Sequence, residues 1–219
     1  MSSSARSTER ADAGDYFGKR LLDLALVVGS APLWLPVVGI VALLVRRRLG
    51  TPVLFTQVRA GRHGTPFRII KFRSMTEARG PDGALLPDAE RLPPFGRWLR
   101  ASSLDELPEL FNVLRGEMSL VGPRPLHLHY LERYDATQRR RLLARPGLTG
   151  LAQVSGRNAI DWPSRFRLDV EYVDRCSAAL DLAILAGTVR AVTRREGITA
   201  AGEATMPEFL GAPSAGEER

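Results

Sequence analysis

Two adjacent carboxylates, Asp105 and Glu106, sit in the run RASSLDELPELFNVLR between Arg100 and Arg115. Their surroundings suit them to either of two tasks. Ser103 with Glu106 has the S-x-x-E spacing of a capping box, which satisfies free N–H groups at a helix start. Pro108 complicates that register. Counted from Ser103 as N-cap it falls at the fifth helical position and loses a hydrogen bond, whereas counted from Asp105 it falls at the third, where no donor is needed. Either frame puts the acids at a helix N-terminus, which stabilises a carboxylate and also favours a bound phosphate. The other task is chemical. With a reference pKa of about 3.9 an aspartate is ionised at neutral pH, so beside Arg100 it is a poor general acid but a competent nucleophile or metal ligand.

Cations recur at spacings that suit an anionic ligand. All but two of the 31 basic residues are arginines, and the two lysines are Lys19 and Lys71. A compact ammonium at position 71 in so arginine-rich a chain points to a site that wants one. In VGPRP, residues 121–125, Arg124 is bracketed by Pro123 and Pro125. The residue before a proline is held extended, so this guanidinium is aimed. In PGLTGLAQVSGRN, Gly156 lets backbone approach a ligand closely and Arg157 can fork onto a phosphate.

The elements that carry these residues follow from pattern. Residues 1–14 are Ser-rich, charged and aperiodic, the composition of a disordered tail. No basic n-region leads into an apolar stretch with a cleavage site, so no signal peptide is read. From Leu24 to Val45 there are 22 residues without a charge, roughly 33 Å as a straight helix. Lys19 and Arg20 precede this stretch and Arg46, Arg47 and Arg48 follow it, which places both ends on the cytoplasmic face by the positive-inside rule. Pro32 and Pro36 interrupt its middle. A helix that enters, breaks at Ser30-Ala31-Pro32 and returns satisfies both features, provided Ser30, water or neighbouring protein takes the freed carbonyls. An ordinary kinked span and a buried core helix are the other readings. Pro52–Val58 and Phe67–Met75 read as the strands of a hairpin. Gly80–Pro94 reads as a surface loop, Phe95–Arg100 as a short amphipathic approach, Asp135–Arg145 as a basic helical segment and Leu180–Val192 as a helix with an apolar stripe. The expected organisation is α+β: a membrane-embedded re-entrant helix over 15–48, a helix-rich catalytic domain with a short β-hairpin and interfacial amphipathic helices over 49–202, and a flexible tail over 203–219.

Composition bounds the partners. At 219 residues and 44% apolar the chain buries one sizeable core. Cys176 stands alone, so there is neither an intrachain disulfide nor a cysteine metal cluster, which fits a reducing compartment. A formal charge of +7 points to an anionic partner: nucleic acid, acidic lipid or a phosphorylated substrate. Basic and aromatic residues interleave over Arg59–Arg79, a pattern that also permits single-stranded nucleic acid to stack.

Taken together, KRLLDLAL, the Pro-broken apolar stretch, VLFTQVRAGRHGTPFRIIKFRSM, FGRWLRASSLDELPELFNVLRGEMSLVGPRP, RPGLTGLAQVSGRNAI and ALDLAI resemble the bacterial monotopic polyprenyl-phosphate phosphoglycosyl transferases, from about Lys19 to about Gly197. The resemblance implies transfer of a sugar 1-phosphate from a UDP-sugar to a polyprenyl phosphate, with release of UMP, at the cytoplasmic face of the bacterial cell membrane. It makes Asp105 the nucleophile and the Mg²⁺ contact, and Glu106 its partner. Lys71, Arg100 and Arg124 match cations around the diphosphate, Arg157 one on the nucleotide side, and Asp181 an acidic position near the site. Anionic lipids join the expected partners, nucleic acid does not, and a homo-oligomer is permitted. One departure stands out: Ala31 precedes Pro32 where the family often has Ser. The alternative of a different class is a membrane-tethered basic nucleic-acid binder without catalysis.

Four residues attract notice without gaining a role. His127 and His129 lack a third ligand at zinc-site spacing. Cys176 suits a small buried hydrophobe, and Trp162 suits core packing better than base stacking.

Overall fold

The computed structural model describes residues 14–156, 160–194 and 208–211. The disordered tail expected over 1–14 and the tail over 203–219 lie almost wholly outside those residues.

Two helices open the chain, α1 over Lys19–Gly29 and α2 over Ala31–Leu49, bent by 64° at Ser30. Sequence chemistry explains the break. Pro32 falls in the first turn of α2, where its missing donor costs nothing, while α2 runs on through Pro36. At the break Val27 O accepts from Trp34 Nε1 at 2.9 Å, and Leu26 O, already bonded to Ser30 N at 3.0 Å, accepts a second hydrogen bond from Ser30 Oγ at 2.6 Å. No single helix among the described residues is long and apolar enough to cross a membrane, although the bent pair together has the length and composition.

These helices bury polar residues and expose apolar ones. Lys19, Asp23 and Val27, one α1 face at i, i+4 and i+8, are buried, whereas Leu21, Val28, Leu33 and Ile40 are exposed. Each buried polar group has a protein partner. Lys19 Nζ lies 2.6 Å from Asp181 Oδ2 and 3.0 Å from the Tyr172 hydroxyl, and Asp23 Oδ1 accepts from Leu120 N at 3.1 Å.

Strands β1 (Leu54–Ala60) and β2 (Pro66–Phe72) form an antiparallel hairpin, registered from Leu54 opposite Phe72 to Ala60 opposite Pro66. The pairing begins two residues later than expected and β2 ends at Phe72, because the chain there swings Ser74 against a helix. A Cβ on Gly96 would stand 1.9 Å from Ser74 O, so only glycine permits this approach. The loop over Gly80–Pro94 contains a one-turn helix, α3, at Asp88–Arg91. Helix α4 (Pro94–Ala101) is the amphipathic approach, and α5 (Glu109–Arg115) follows the Asp-Glu pair.

Beyond α5, strands β3 (Ser119–Val121) and β4 (Gly147–Thr149) pair in parallel. A Cβ on Gly122 would meet Arg145 O at 2.2 Å, which explains the glycine where the chain turns into Pro123 and Arg124. The expected basic helix over Asp135–Arg145 is instead a run of 3₁₀ turns at Gln138–Leu143. After β4 the chain continues as α6 (Leu151–Gly156). Helices α7 (Trp162–Arg175), N-capped by Asp161 on Ser164 N at 2.9 Å, and α8 (Ala178–Arg194) are the last helices among the described residues.

The main core joins Val27 and Trp34 of the opening helices to Phe67, Ile69, Val113, Tyr172 and Ile184. Cys176 packs at its margin. A second cluster is aromatic: Tyr130, Tyr134, Phe166 and Phe209, with Trp162 packed against it. The fold is thus α+β and helix-rich with a β-hairpin, as expected from the sequence, and the parallel β3–β4 pair is a second small sheet that the sequence reading did not expect.

Candidate active site

The Asp-Glu pair is held in a tight turn rather than at a helix cap. Ser103 adopts a left-handed conformation (φ 56°), Leu104–Glu106 form a 3₁₀ turn, and α5 starts at Glu109 with Pro108 at its N-cap. Neither capping frame read from the sequence is realised, since no side-chain cap bond is made at either start. The physical reason is apolar: Leu104 and Leu107 pack against the cluster of Val41, Val45, Phe72 and Leu99, and that burial fixes the turn.

The result separates the roles of the two acids. Glu106 is tied down, its Oε1 accepting from Lys71 Nζ at 2.8 Å and from Arg124 Nη2 at 2.7 Å. Asp105 is 8% exposed and makes no side-chain hydrogen bond among the described residues. One carboxylate anchors cations and the other is left available.

Three elements bring the cations in. Lys71 projects from β2, and Asn112 of α5 pins that strand by accepting from Ile70 N at 3.1 Å and donating to Arg68 O at 2.7 Å. Arg100, at the end of α4, donates through Nε to Ser74 Oγ at 3.0 Å. Arg124 is fixed through its own backbone. Its carbonyl accepts from Arg141 Nη2 at 2.7 Å, and Gly147 N donates to Pro123 O at 3.0 Å. Arg141 is in turn held by Asp169, at 2.8 and 3.0 Å, both side chains being 2% exposed.

A third carboxylate belongs to the cluster. Glu109 Oε1 lies 2.9 Å from Lys71 Nζ, and Glu109 is 1% exposed. Sequence reading missed it, although its place three residues after Glu106 was a usable signal for a shared helical face. Asn112, Arg141 and Asp169 were also missed.

The electrostatics follow from crowding three acids against these cations. Burial raises the Asp105 carboxyl to about 6, with the negative charge of Glu106 adding to it and Lys71, Arg100 and Arg124 opposing. The reference value used for the sequence reading is therefore not the value in the fold, but Asp105 remains mostly ionised at neutral pH. Burial would raise Glu106 as well, yet Arg124 and Lys71 hold it well below the usual carboxylate range. Glu109, desolvated and beside Glu106, is pushed up to about 7 despite Lys71.

Other expected site residues lie elsewhere. Asp181 does not join the Asp105 cluster: it is buried against Lys19, Tyr16 at 2.9 Å and Tyr172 at 2.8 Å. Its link to the site is indirect, through the Tyr172 hydroxyl 3.0 Å from Val121 O, just before Pro123. Gly156 ends α6 with Ile160 packed over it, since a Cβ there would meet Ile160 Cγ2 at 2.7 Å. Arg157 lies outside the described residues. His127 and His129 stack with ring centroids 5.2 Å apart, and no group of three or more metal-ligating side chains occurs among the described residues.

Asp105 is an oxygen donor of the kind that suits a hard cation such as Mg²⁺. A single unpaired carboxylate, Asp105, is how Mg²⁺ is commonly held, the other positions going to water and substrate phosphates.

A buried, unengaged carboxylate ringed by fixed cations defines a class: an enzyme that handles a highly anionic group at an acidic side chain. The comparisons make this specific. The family model described as bacterial sugar transferase matches residues 14–195. The chain is 49% identical over 193 residues to the uncharacterized sugar transferase EpsL of Bacillus subtilis, covering 88% of this chain and 96% of that protein. It is 41% identical over 181 residues to the UDP-glucose:undecaprenyl-phosphate glucose-1-phosphate transferase of Caulobacter vibrioides, covering 78% and 68%. It is 42% identical over 167 residues to the undecaprenyl-phosphate galactose phosphotransferase of Salmonella typhimurium, covering 68% of this chain but 35% of that one. The chain belongs to the bacterial sugar transferase family, and it is an enzyme of the sugar-phosphate transferase class. It spans less than half the length of several relatives and nearly all of others.

Proposed function

We propose that this protein transfers a sugar 1-phosphate from a UDP-sugar to a polyprenyl phosphate, undecaprenyl phosphate being the carrier named for its relatives, and releases UMP. The observation that carries the reading is Asp105, a buried carboxylate without a side-chain hydrogen bond among the described residues, beside Lys71, Arg100 and Arg124. An Asp105 oxygen attacks the sugar-bearing phosphorus of the diphosphate. The bridging P–O bond breaks, UMP leaves with that oxygen, and a phosphosugar remains on Asp105. A polyprenyl phosphate oxygen then attacks the same phosphorus, displaces the carboxylate and yields the polyprenyl diphosphate sugar. Each step is a displacement at phosphorus that concentrates negative charge, so fixed cations contribute more than a general base. Arg124 and Lys71, both braced by Glu106, supply preorganised charge, and Arg100 adds to it from α4. Mg²⁺ held by Asp105 would supply further charge neutralisation on the diphosphate.

The same reading gives α1 and α2 a place: a re-entrant, monotopic insertion at the cytoplasmic face of the bacterial cell membrane. Exposed Leu21, Val28, Leu33 and Ile40 suit hydrocarbon, and the buried Lys19 and Asp23 have the protein partners that hydrocarbon cannot offer. The nucleic-acid alternative loses its stacking platform, because Phe67 and Phe72 are buried and Lys71 and Arg73 are tied to internal acceptors. The decisive experiment follows UMP release over a panel of UDP-sugars, with and without Mg²⁺ and undecaprenyl phosphate. Intact-protein mass spectrometry then looks for the phosphosugar on Asp105. UMP release with adduct is expected; no UMP from any UDP-sugar, or turnover without adduct, overturns the reading.

A further inference from the structure

Strand β2 has two faces, and the site described above uses one of them. Lys71 points to Glu106 and Glu109, whereas its neighbours Ile70 and Phe72 point the other way. There they form the floor of a groove of about 640 Å³, walled by α2 on one side and α5 on the other. Ala42 and Leu43 come from α2, Phe111 from α5 and Pro108 from its N-cap. Its lining is almost wholly apolar, and it has only two charged members, Arg46 and Arg115, both exposed, with no acid among them.

We propose that this groove holds the first isoprene units of the polyprenyl phosphate acceptor, with Arg46 and Arg115 attracting its phosphate. The assignment rests on the proposed function and names where its lipid substrate lies. Three observations select this occupant. The volume falls within the range of about 300–1,000 Å³ in which pockets enclose most of a small ligand, and the walls are aliphatic and aromatic. The charge is complementary, since an apolar slot lined by two arginines and no carboxylate suits an apolar chain ending in phosphate. The position is also right. Pro108, three residues after Asp105, is part of the wall, and Leu104 and Leu107 of the same turn pack on α2, so the groove borders the turn that carries the reactive carboxylate. Leu43, exposed on α2, continues the lining toward the apolar outer surface that suits hydrocarbon, so the chain can enter from the bilayer without crossing water.

The test uses the wild-type enzyme in vesicles, with a polyprenyl phosphate carrying a diazirine in its first isoprene units. Irradiation followed by peptide mass spectrometry is expected to label peptides containing Ala42, Phe72 or Phe111. Unlabelled undecaprenyl phosphate should compete the label away, while phosphatidylglycerol at the same concentration should not. Labelling confined to the outer face of α1 and α2, or equal competition by phosphatidylglycerol, overturns the proposal. A second arm fills the groove with Ala42→Trp. UMP release and adduct formation from the UDP-sugar report that the protein is folded and that the proposed function holds. The KM for undecaprenyl phosphate should rise at least tenfold, and that for a two-isoprene acceptor phosphate should rise with it, because both place their first isoprene units against Ala42. A folded, adduct-forming variant with an unchanged KM for the long acceptor sinks the groove assignment and leaves the reaction itself standing.

Discussion

Lys71 Nζ stands 2.8 Å from Glu106 and 2.9 Å from Glu109, one ammonium serving two carboxylates that are largely withdrawn from water. That geometry suits a compact point charge, which bonds in several directions, better than a planar guanidinium. Lys71→Ala leaves two crowded acids without their shared counter-ion. Removing one partner of a buried pair costs about 3–5 kcal/mol, so a lower melting temperature in detergent is expected together with loss of adduct formation. Lys71→Arg should retain more stability than activity. Equal adduct formation by Lys71→Arg and wild type would show that the ammonium has no special place in the site.

Asp105 carries the pH dependence of the first half-reaction. Its carboxyl is raised to about 6 by burial and by Glu106, and only the ionised form attacks. Adduct formation should therefore fall as pH drops through about 6, and the apparent value belongs to the coupled acids rather than to one of them. The sign for stability is opposite. A carboxyl whose pKa is raised on folding stabilises the fold below its unfolded value of about 3.9 and loses that contribution as pH rises through about 6. Asp105→Asn removes the penalty, so the variant should melt at or above the wild-type temperature at pH 7.5, the difference shrinking toward pH 4. Its UMP release should fall at least about a thousandfold, in line with removal of other catalytic nucleophiles. A variant that forms the phosphosugar at a near-normal rate would remove Asp105 from its role.

The contrast between Asp105 and Arg141 shows what the sequence could and could not reveal. Asp105, Glu106, Lys71 and Arg124 were legible because local pattern singles each out: an acid pair beside a proline, a rare lysine, an arginine between prolines. The hairpin and the break at Ser30 were legible for the same reason, since turn residues and prolines act where they stand. Arg141 sits among three consecutive arginines that read only as part of a basic helical segment, and what distinguishes it is Asp169, 28 residues away. A partner chosen by tertiary packing leaves no mark in a local window. The capping frames failed by the same cause, because Leu104 and Leu107 follow the apolar cluster under them rather than helix propensity.

Arg141 acts on the site through another residue, and this can be separated from its part in folding. Its guanidinium spans the Asp169 carboxylate and the backbone carbonyl of Arg124. Arg141→Met leaves Asp169 without its hydrogen-bonded counter-ion, with only the nearby charge of Arg165, and should cost about 3 kcal/mol, the low end of what breaking a buried pair costs. Adding Asp169→Leu removes the stranded charge, and a double apolar replacement is often neutral for stability. The double variant should therefore recover most of the melting temperature while its KM for the UDP-sugar stays raised, because Arg124 has lost its brace. Recovery of both together would make the pair purely structural.

Asp181 provides the sharpest division between scaffold and chemistry. It pairs with Lys19 at 2.6 Å, both side chains at most 3% exposed, and with the hydroxyls of Tyr16 and Tyr172, which ties α1 to α7 and α8. Asp181→Asn keeps the shape and a hydrogen-bonding oxygen but removes the charge opposite a buried ammonium. Breaking such a pair costs about 3–5 kcal/mol, somewhat less here because Asp23, on the same face of α1, also feels the Lys19 charge. The expected result is a protein that unfolds earlier on heating yet, while folded, still acquires the phosphosugar on Asp105. Adduct formation normalised to folded protein should stay within about tenfold of wild type, whereas direct participation in phosphoryl transfer would cost about a hundredfold or more. A stable Asp181→Asn protein without adduct would return Asp181 to the reacting groups.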